Sequence, residues 1–191
     1  MYRLFVALEL PETVRVGLAA LCHGVPGARW VGVDQFHLTL RFIGEVDGGT
    51  FDDVAAALAE IEAPSFMVTI SGVGHFPPSG MPRQLWAGVA KDPALMALQR
   101  AIESRVVAAG LEREGRKFIP HVTLARLRAA RLSRVAAFLS AHGLFACAPF
   151  LAGSFNLYSS RLGNERSVYR IEAQYPLHQG EAEPAPSDAA F

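Results

Sequence analysis

A histidine followed two residues later by a threonine occurs twice in this 191-residue chain, each time in nearly the same local sequence. Residues 37–40 read His-Leu-Thr-Leu, and residues 121–124, 84 positions further on, read His-Val-Thr-Leu. Each copy lies in an alternating apolar pattern that is typical of a β-strand. Because side chains two residues apart project from the same face of a strand, each copy presents an imidazole beside a hydroxyl while its other residues point into a core.

Two imidazoles and two hydroxyls suit acid–base chemistry at phosphorus. One of His37 and His121, when neutral, can take a proton from water while the other, when protonated, gives one to a leaving oxygen. An unperturbed pKa of about 6.5 makes both forms available near neutral pH. The hydroxyls of Thr39 and Thr123 can donate to phosphoryl oxygens. Neither motif contains a carboxylate, so the set is a poor metal cage. We expect a substrate with an alkoxide leaving group, such as a strained cyclic phosphodiester.

The spacing of the two copies, nearly half the chain, predicts two related lobes that face each other across a cleft. Glycine and proline punctuate a mixed order of strands and helices, which favours an α+β fold with antiparallel sheets and outer helices over a doubly wound parallel sheet. Strands are predicted over residues 3–9, 30–33, 36–43, 66–73, 85–89, 112–117, 119–127, 150–158 and 167–177. Helices are predicted from 11 to about 24, from 50 through 61, from 92 to 110 and from 133 to 142.

The composition is that of a globular protein, with 51% hydrophobic and 19% charged residues. Eighteen basic residues balance eighteen acidic ones, which argues against a protein that wraps nucleic acid through a broad basic surface. Cys22 and Cys147 lie too far apart to suggest a disulfide scaffold or a zinc site. No segment is typical of a signal peptide or a membrane span, so we expect a cytoplasmic protein without membrane contact.

The end of the chain differs in composition from the rest. Residues 178–191 are polar and rich in proline, so we expect a disordered tail that follows a single bilobal domain over residues 1–177.

The two motifs with their flanks resemble the two-histidine (2H) phosphoesterases. The matching segments are Phe-His-Leu-Thr-Leu-Arg-Phe-Ile-Gly-Glu at 36–45, Leu-Trp-Ala-Gly at 85–88, Pro-His-Val-Thr-Leu-Ala-Arg at 120–126 and Tyr-Pro-Leu at 175–177. Within this superfamily the chain is most similar to the bacterial and archaeal RNA 2′,3′-cyclic phosphodiesterases, once called 2′-5′ RNA ligases. The resemblance spans residues 1–177 and implies a bilobal α+β fold with pseudo-twofold symmetry.

The resemblance also implies an activity, the hydrolysis of RNA 2′,3′-cyclic phosphate ends to 2′-phosphates without metal or other cofactor. His37 would then give a proton to the leaving 3′ oxygen, and His121 would be the base that activates water. Thr39, Thr123 and Arg126 would bind the phosphate.

The sequence leaves open the roles of two arginines and one loop. Strict alternation places Arg126 on the face opposite His121, so its implied contact with phosphate requires a β-bulge or a strand end. Alternation places Arg41 on the face of His37, although it could instead pair with an acidic neighbour. The loop over residues 74–83, where His75 is expected, is often basic in the family but carries no basic side chain here before Arg83. Whether the protein binds longer RNA through this loop is therefore open.

Other functions fit the same groups. The reverse reaction would join a 2′,3′-cyclic end to a 5′ hydroxyl, and a binding module for RNA ends would hold the phosphate without turnover. The motif residues recognise the phosphate and not the groups attached to it, so a small cyclic phosphodiester is an alternative to RNA. We expect a monomer.

Overall fold

A computed structural model describes residues 1–162 and 167–178, and this part of the chain forms ten β-strands and four α-helices. The strands are β1 (Tyr2–Glu9), β2 (Ala28–Trp30), β3 (His37–Val46), β4 (Phe66–Val68), β5 (Ile70–Phe76), β6 (Gln84–Val89), β7 (His121–Leu127), β8 (Phe150–Ala152), β9 (Ser154–Leu162) and β10 (Ser167–Pro176). The helices are α1 (Glu12–Ala19), α2 (Gly48–Ala59), α3 (Pro93–Ala108) and α4 (Leu132–His142).

Eight of the strands form one sheet in the order β10-β9-β1-β3-β7-β6-β5, with β2 also paired to β7. The strands β4 and β8 form a separate two-stranded sheet. The pairings between these strands are antiparallel. The predicted α+β class with antiparallel sheets is thus confirmed.

The chain consists of two halves that repeat the same order of main elements. The order β1-α1-β3-α2-β4 in the first half corresponds to β6-α3-β7-α4-β8 in the second. The halves meet where β3 pairs with β7 through the single residue pair Leu38 and Val122, the middle residues of the two motifs. The two predicted lobes are therefore present, and they share one continuous sheet at this junction.

This junction determines on which side of the sheet the motif histidines and threonines lie. The side chains of Leu38 and Val122 are fully buried in the main core. All four helices place their buried residues in that same core: Val14 and Leu18 from α1, Val54 and Leu58 from α2, Leu98 and Ile102 from α3, Val135 and Phe138 from α4. Because side chains alternate, the histidines and threonines of both motifs lie on the opposite side, which we call the motif face.

Several predicted elements differ from the structure in their bounds. The N-cap of α2 is Asp47, whose carboxylate accepts from the backbone N–H of Thr50, so the helix begins before the predicted start at position 50. The start of α3 at Asp92 and Pro93 is confirmed, since the Asp92 carboxylate accepts from the first N–H groups. The first helix ends at Ala19, short of the predicted residue 24.

The predicted strand over residues 112–117 is not formed. The Glu114 N–H donates to the carboxylate of Glu103, and the Glu112 carbonyl accepts from the guanidinium of Arg41. Side chains thus take the place of a neighbouring strand as partners for this backbone. Near the first motif, the predicted strand at 30–33 ends at Trp30 and is followed by a 3-10 turn.

The described chain ends against the residues that precede β4. The His178 N–H donates to the Ala63 carbonyl and the His178 carbonyl accepts from the Ser65 N–H. The rest of the predicted tail, residues 179–191, lies outside the described residues. Within the described residues, none of the helices is both long and apolar enough to cross a membrane.

Candidate active site

The two motif histidines make the same backbone hydrogen bond. Nδ1 of His37 lies 2.7 Å from the Gln35 carbonyl oxygen, and Nδ1 of His121 lies 2.7 Å from the Ile119 carbonyl oxygen. A carbonyl oxygen can only accept, so Nδ1 carries the hydrogen in each ring and Nε2 is left with a lone pair when the ring is neutral. Each histidine can therefore accept a proton at Nε2 when neutral or donate one from it when protonated.

Burial shifts the titration of both rings in the same direction. It lowers the pKa of His37, against the opposing effect of the Gln35 carbonyl, and the nearby charge of His121 lowers it further. Burial likewise lowers the pKa of His121, against the opposing effect of the Ile119 carbonyl. The charge of His121 acts on His37, and the pairing of Leu38 with Val122 sets the two strands side by side with both imidazoles on one face, as an acid–base pair requires.

Aromatic rings flank each histidine. The ring of Phe5 lies 4.8 Å from that of His37, and Tyr169 meets His37 edge-on at 5.4 Å. In the second half, Phe76 meets His121 edge-on at 5.0 Å. These rings account for the burial of the imidazoles and restrict their rotation.

A β-bulge in β7 places Arg126 on the motif face. The register of β7 on β6 shifts by one residue after Thr123, so that both Leu124 and Ala125 are buried. The exposed Arg126 then faces the same side as His121 and Thr123. The bulge that the implied phosphate contact requires is present.

The same irregularity occurs at the matching point of β3 and has the opposite outcome for its arginine. The register of β3 on β1 shifts after Thr39, so that Leu40 and Arg41 both turn to the buried side. Arg41 is 8% exposed, whereas Phe42 is 43% exposed on the motif face, at the position that matches Arg126. The expectation from strict alternation that Arg41 shares the face of His37 is therefore wrong.

Arg41 instead pairs with an acidic side chain, the alternative left open above. Its Nε lies 2.7 Å from a carboxylate oxygen of Glu103 in α3, which is 12% exposed. The guanidinium also donates to the backbone carbonyls of Phe42 and Glu112. The arginine of the first motif thus anchors the segment that leads into the second motif.

Gln84 is a site residue that the motif pattern did not reveal. Its amide nitrogen lies 2.8 Å from the hydroxyl oxygen of Thr123 and 3.2 Å from Nε2 of His121. It comes one position before the Leu-Trp-Ala-Gly segment. The alternation of side chains along β6 was the one sequence signal that could have placed Gln84 on the same side of its strand as Trp86. Nothing in the sequence indicates which side chain it contacts.

The first half carries a polar pair that was also missed. Asn156 and Tyr158 in β9 pair on the sheet with Ala7 and Phe5 of β1, which places them on the motif face, separated from β3 by β1. The Asn156 amide donates to the Tyr158 hydroxyl at 3.1 Å, and burial raises the pKa of Tyr158. By contrast, His75 lies in β5 and not in a loop, paired with the fully buried Leu85 and so on the side away from the motifs.

The donor set of the site is one of nitrogen and hydroxyl groups. No group of three or more His, Cys, Asp or Glu side chains that could hold a metal ion occurs within residues 1–162 and 167–178. The arrangement can bind an anion between two hydroxyls and a guanidinium, with an imidazole from each half available for proton transfer.

The model of the family described as LigT like phosphoesterase matches residues 8–86 and 88–169 of this chain. An RNA 2′,3′-cyclic phosphodiesterase of Thermotoga maritima is 33% identical over 132 residues, which cover 66% of this chain and 70% of that protein. A protein of the same name from Escherichia coli K12 is 33% identical over 128 residues, 65% of this chain and 71% of its own.

Solved structures are similar over nearly the whole chain. E. coli LigT complexed with 3′-AMP has a TM-score of 0.77 at 26% identity, covering 93% of this chain and 99% of that chain. A protein of Thermus thermophilus has a TM-score of 0.75 at 28% identity, with the same coverage of both chains.

Proposed function

Because this chain belongs to the LigT-like phosphoesterase family, we propose that it hydrolyses RNA 2′,3′-cyclic phosphate ends to 2′-phosphates. The observation that carries this proposal is the pairing of Leu38 with Val122, which sets the two motifs side by side on one face of the sheet. The names of the curated relatives, RNA 2′,3′-cyclic phosphodiesterases, support the substrate class.

The proposed reaction is one displacement at phosphorus. A water molecule attacks the cyclic phosphodiester, and Nε2 of His121 takes a proton from it as the new P–O bond forms. The P–O3′ bond breaks, and the 3′ oxygen takes the proton from Nε2 of His37 to become a hydroxyl. The product keeps the phosphate on the 2′ oxygen. Each histidine ends in the other protonation state, and proton exchange with solvent restores the pair.

Three side chains are proposed to hold the phosphate. The hydroxyls of Thr39 and Thr123 donate to its non-bridging oxygens, and the guanidinium of Arg126 neutralises its charge. The bound anion also favours the charged form of an imidazole beside it, which offsets the effect of burial on His37. The substrate thus helps to protonate its own acid catalyst.

The test is to incubate the protein, in EDTA, with a short RNA that ends in a 2′,3′-cyclic phosphate and to identify the product by phosphorus NMR or mass spectrometry. A 2′-phosphate is expected in EDTA as well as with added divalent ions. Replacing either catalytic histidine by alanine, His37→Ala or His121→Ala, should lower the rate by about 10²-fold or more.

Other outcomes of this test distinguish the alternatives. A 3′-phosphate product would show that the P–O2′ bond breaks and not the P–O3′ bond. Loss of turnover in EDTA would contradict the metal-independent mechanism. Binding of the RNA without turnover at any pH would indicate a binding module. A joined product on addition of a 5′-hydroxyl RNA would indicate ligation.

A further inference from the structure

The two halves of the site also differ in the strand that lies beside each motif strand. Gln84 in β6 and Phe5 in β1 each pair on the sheet with the residue that follows the bulge of the neighbouring motif strand. In the first half the Phe5 ring lies against His37, and in the second half the Gln84 amide lies against His121. The two histidines, alike in their backbone hydrogen bonds, therefore have different partners at this position.

The amide of Gln84 has a defined orientation when His121 is neutral. Because Nδ1 of His121 donates to the Ile119 carbonyl, the neutral ring has only a lone pair at Nε2. The N–H of an amide can donate to that lone pair, whereas an amide oxygen in the same place would be repelled by it. The amide nitrogen at 3.2 Å from Nε2, and at 2.8 Å from the Thr123 oxygen, matches the neutral ring.

We infer that Gln84 is a positioning residue that holds His121 in its neutral, proton-accepting form and holds Thr123 as a donor to phosphate. A hydrogen-bond donor at Nε2 favours the neutral imidazole over the imidazolium. The second amide hydrogen occupies a lone pair of the Thr123 hydroxyl, which leaves the hydroxyl hydrogen free to point at a phosphoryl oxygen. The catalytic meaning rests on the proposed function, but the effect on His121 is a property of the free protein.

The two contacts of Gln84 differ in length, and this difference allows a water molecule to reach His121. The contact with Thr123 is the shorter one, so the amide can remain on the hydroxyl while a water molecule replaces it at Nε2 of His121. The water then meets a base that is already unprotonated. Phe5, at the matching position beside His37, has no donor or acceptor and leaves that histidine free to carry a proton.

Other charged or titratable side chains among the described residues share the motif face with His121. Near His121 they are Arg126 on β7 itself and Arg29 on β2, which pairs with Arg126. In the first half they are His37 on β3, Glu9 on β1, which pairs with His37, and the tyrosines Tyr158 and Tyr169. The rings of Phe76 and Trp86, from β5 and β6, are uncharged. None of these groups changes in the variants below, so a shift at His121 is attributable to Gln84.

The experiment compares Gln84→Glu and Gln84→Met with the wild type by NMR titration of the histidine ring nitrogens in the free protein. Gln84→Glu replaces the donor by an acceptor of the same shape, so the pKa of His121 should rise by about one unit or more. Gln84→Met removes the donor at similar length and should raise it by about half a unit to one unit. Gln99→Glu, the same exchange in α3, is the matched control and should leave the titration unchanged.

Kinetics give a second measurement. Because His121 must be unprotonated, the acidic limb of the pH profile of kcat/KM should move upward by the same amount as the pKa of His121 in each variant. The pKa of His37, which the charge of His121 lowers, should change by less than the pKa of His121 in Gln84→Met, where no charge is introduced.

An equal pKa of His121 in the wild type and both variants would overturn the inference. It would mean that the Gln84 amide rotates, so that its nitrogen donates to the neutral ring and its oxygen accepts from the protonated ring. The expected shifts at His121 in a protein that hydrolyses no cyclic phosphate would support the role of Gln84 while refuting the proposed function. Because the ring signals are read in the folded protein, the near-isosteric Gln84→Glu keeps the test available if Gln84→Met does not fold.

Discussion

At the level of single residues, backbone carbonyls fix the two imidazoles in one tautomer, and burial favours the uncharged form of both. Burial lowers the pKa of His37 and of His121, so in the free protein the charged form of each is less populated than in an exposed histidine. A phosphodiester anion acts in the opposite direction. The protonation of the site therefore depends on whether substrate is bound.

This dependence predicts two different pH profiles. The profile of kcat/KM reports the free protein and should be bell-shaped with its maximum below the ordinary histidine pKa of about 6.5. The profile of kcat reports the complex, in which the anion raises the pKa of both rings, so its maximum should lie at higher pH. Initial rates at low and at saturating substrate, across a pH range on both sides of that value, measure both, and maxima at the same pH would contradict the argument.

The bulge that exposes Arg126 on the motif face predicts a role for its charge. Arg126→Leu removes a charge-assisted hydrogen bond to phosphate and should lower kcat/KM by about 10- to 100-fold. Arg134→Leu removes the same charge from the exposed side of α4 and serves as the control. If both variants lose activity equally, the effect is that of overall charge and Arg126 has no specific contact with the substrate.

At the level of elements, paired bulges in β3 and β7 decide which residues reach the motif face. Each bulge follows the threonine of its motif and turns the next two residues to the buried side. In β7 these residues are apolar, and the arginine after them faces the site. In β3 the second of them is Arg41, which must then find a partner in the core.

The buried pair of Arg41 and Glu103 predicts a large effect on stability. Arg41→Met leaves the carboxylate of Glu103 buried without its partner, and should lower the free energy of unfolding by about 3–5 kcal/mol. The loss should be smaller in the double variant Arg41→Met/Glu103→Leu, where no charge is left unpaired. Urea unfolding measures both.

The control for this pair is a salt bridge at the surface. Arg116 is 84% exposed and pairs with Glu114, so Arg116→Met should lower the free energy of unfolding by less than about 1 kcal/mol. A similar loss for Arg41→Met and Arg116→Met would show that the Arg41 pair is solvated and not structural.

At the level of the whole molecule, the two halves form one cooperative core on one side of the sheet and place the partly buried motif face on the other. The core includes residues of all four helices and of both motif strands, so the histidines are held by the fold as a whole. Their lowered pKa values must then appear in the pH dependence of global stability.

The expected dependence follows from proton binding in the two states. The unfolded chain binds protons at histidine below about pH 6.5, whereas folded His37 and His121 bind them only at lower pH, so stability should fall as the pH is lowered through about 6.5. Each histidine contributes at most about 1.4 kcal/mol per pH unit. Thermal or urea unfolding between about pH 5 and 8 measures the slope, which His37→Gln should reduce. A wild-type slope of zero over this interval would contradict it.

Local sequence rules were enough to identify the motif residues, their common face within each strand, the two related halves and the α+β class. Two residues along a strand always return to the same face, and a repeated motif indicates repeated structure. The pattern at 112–117 shows the limit of such rules, because its backbone partners are side chains of Arg41 and Glu103, which belong to other elements of the fold.

The sides on which Arg41 and Arg126 lie, and the contact of Gln84, were settled by tertiary pairing alone. A bulge is a mismatch between two strands, so it depends on the register of a partner that lies elsewhere in the chain, β1 for the first motif and β6 for the second. The same register brings Gln84 to His121 across a separation of 37 residues. Local alternation cannot contain this information, because it describes one strand and the site is made where strands meet.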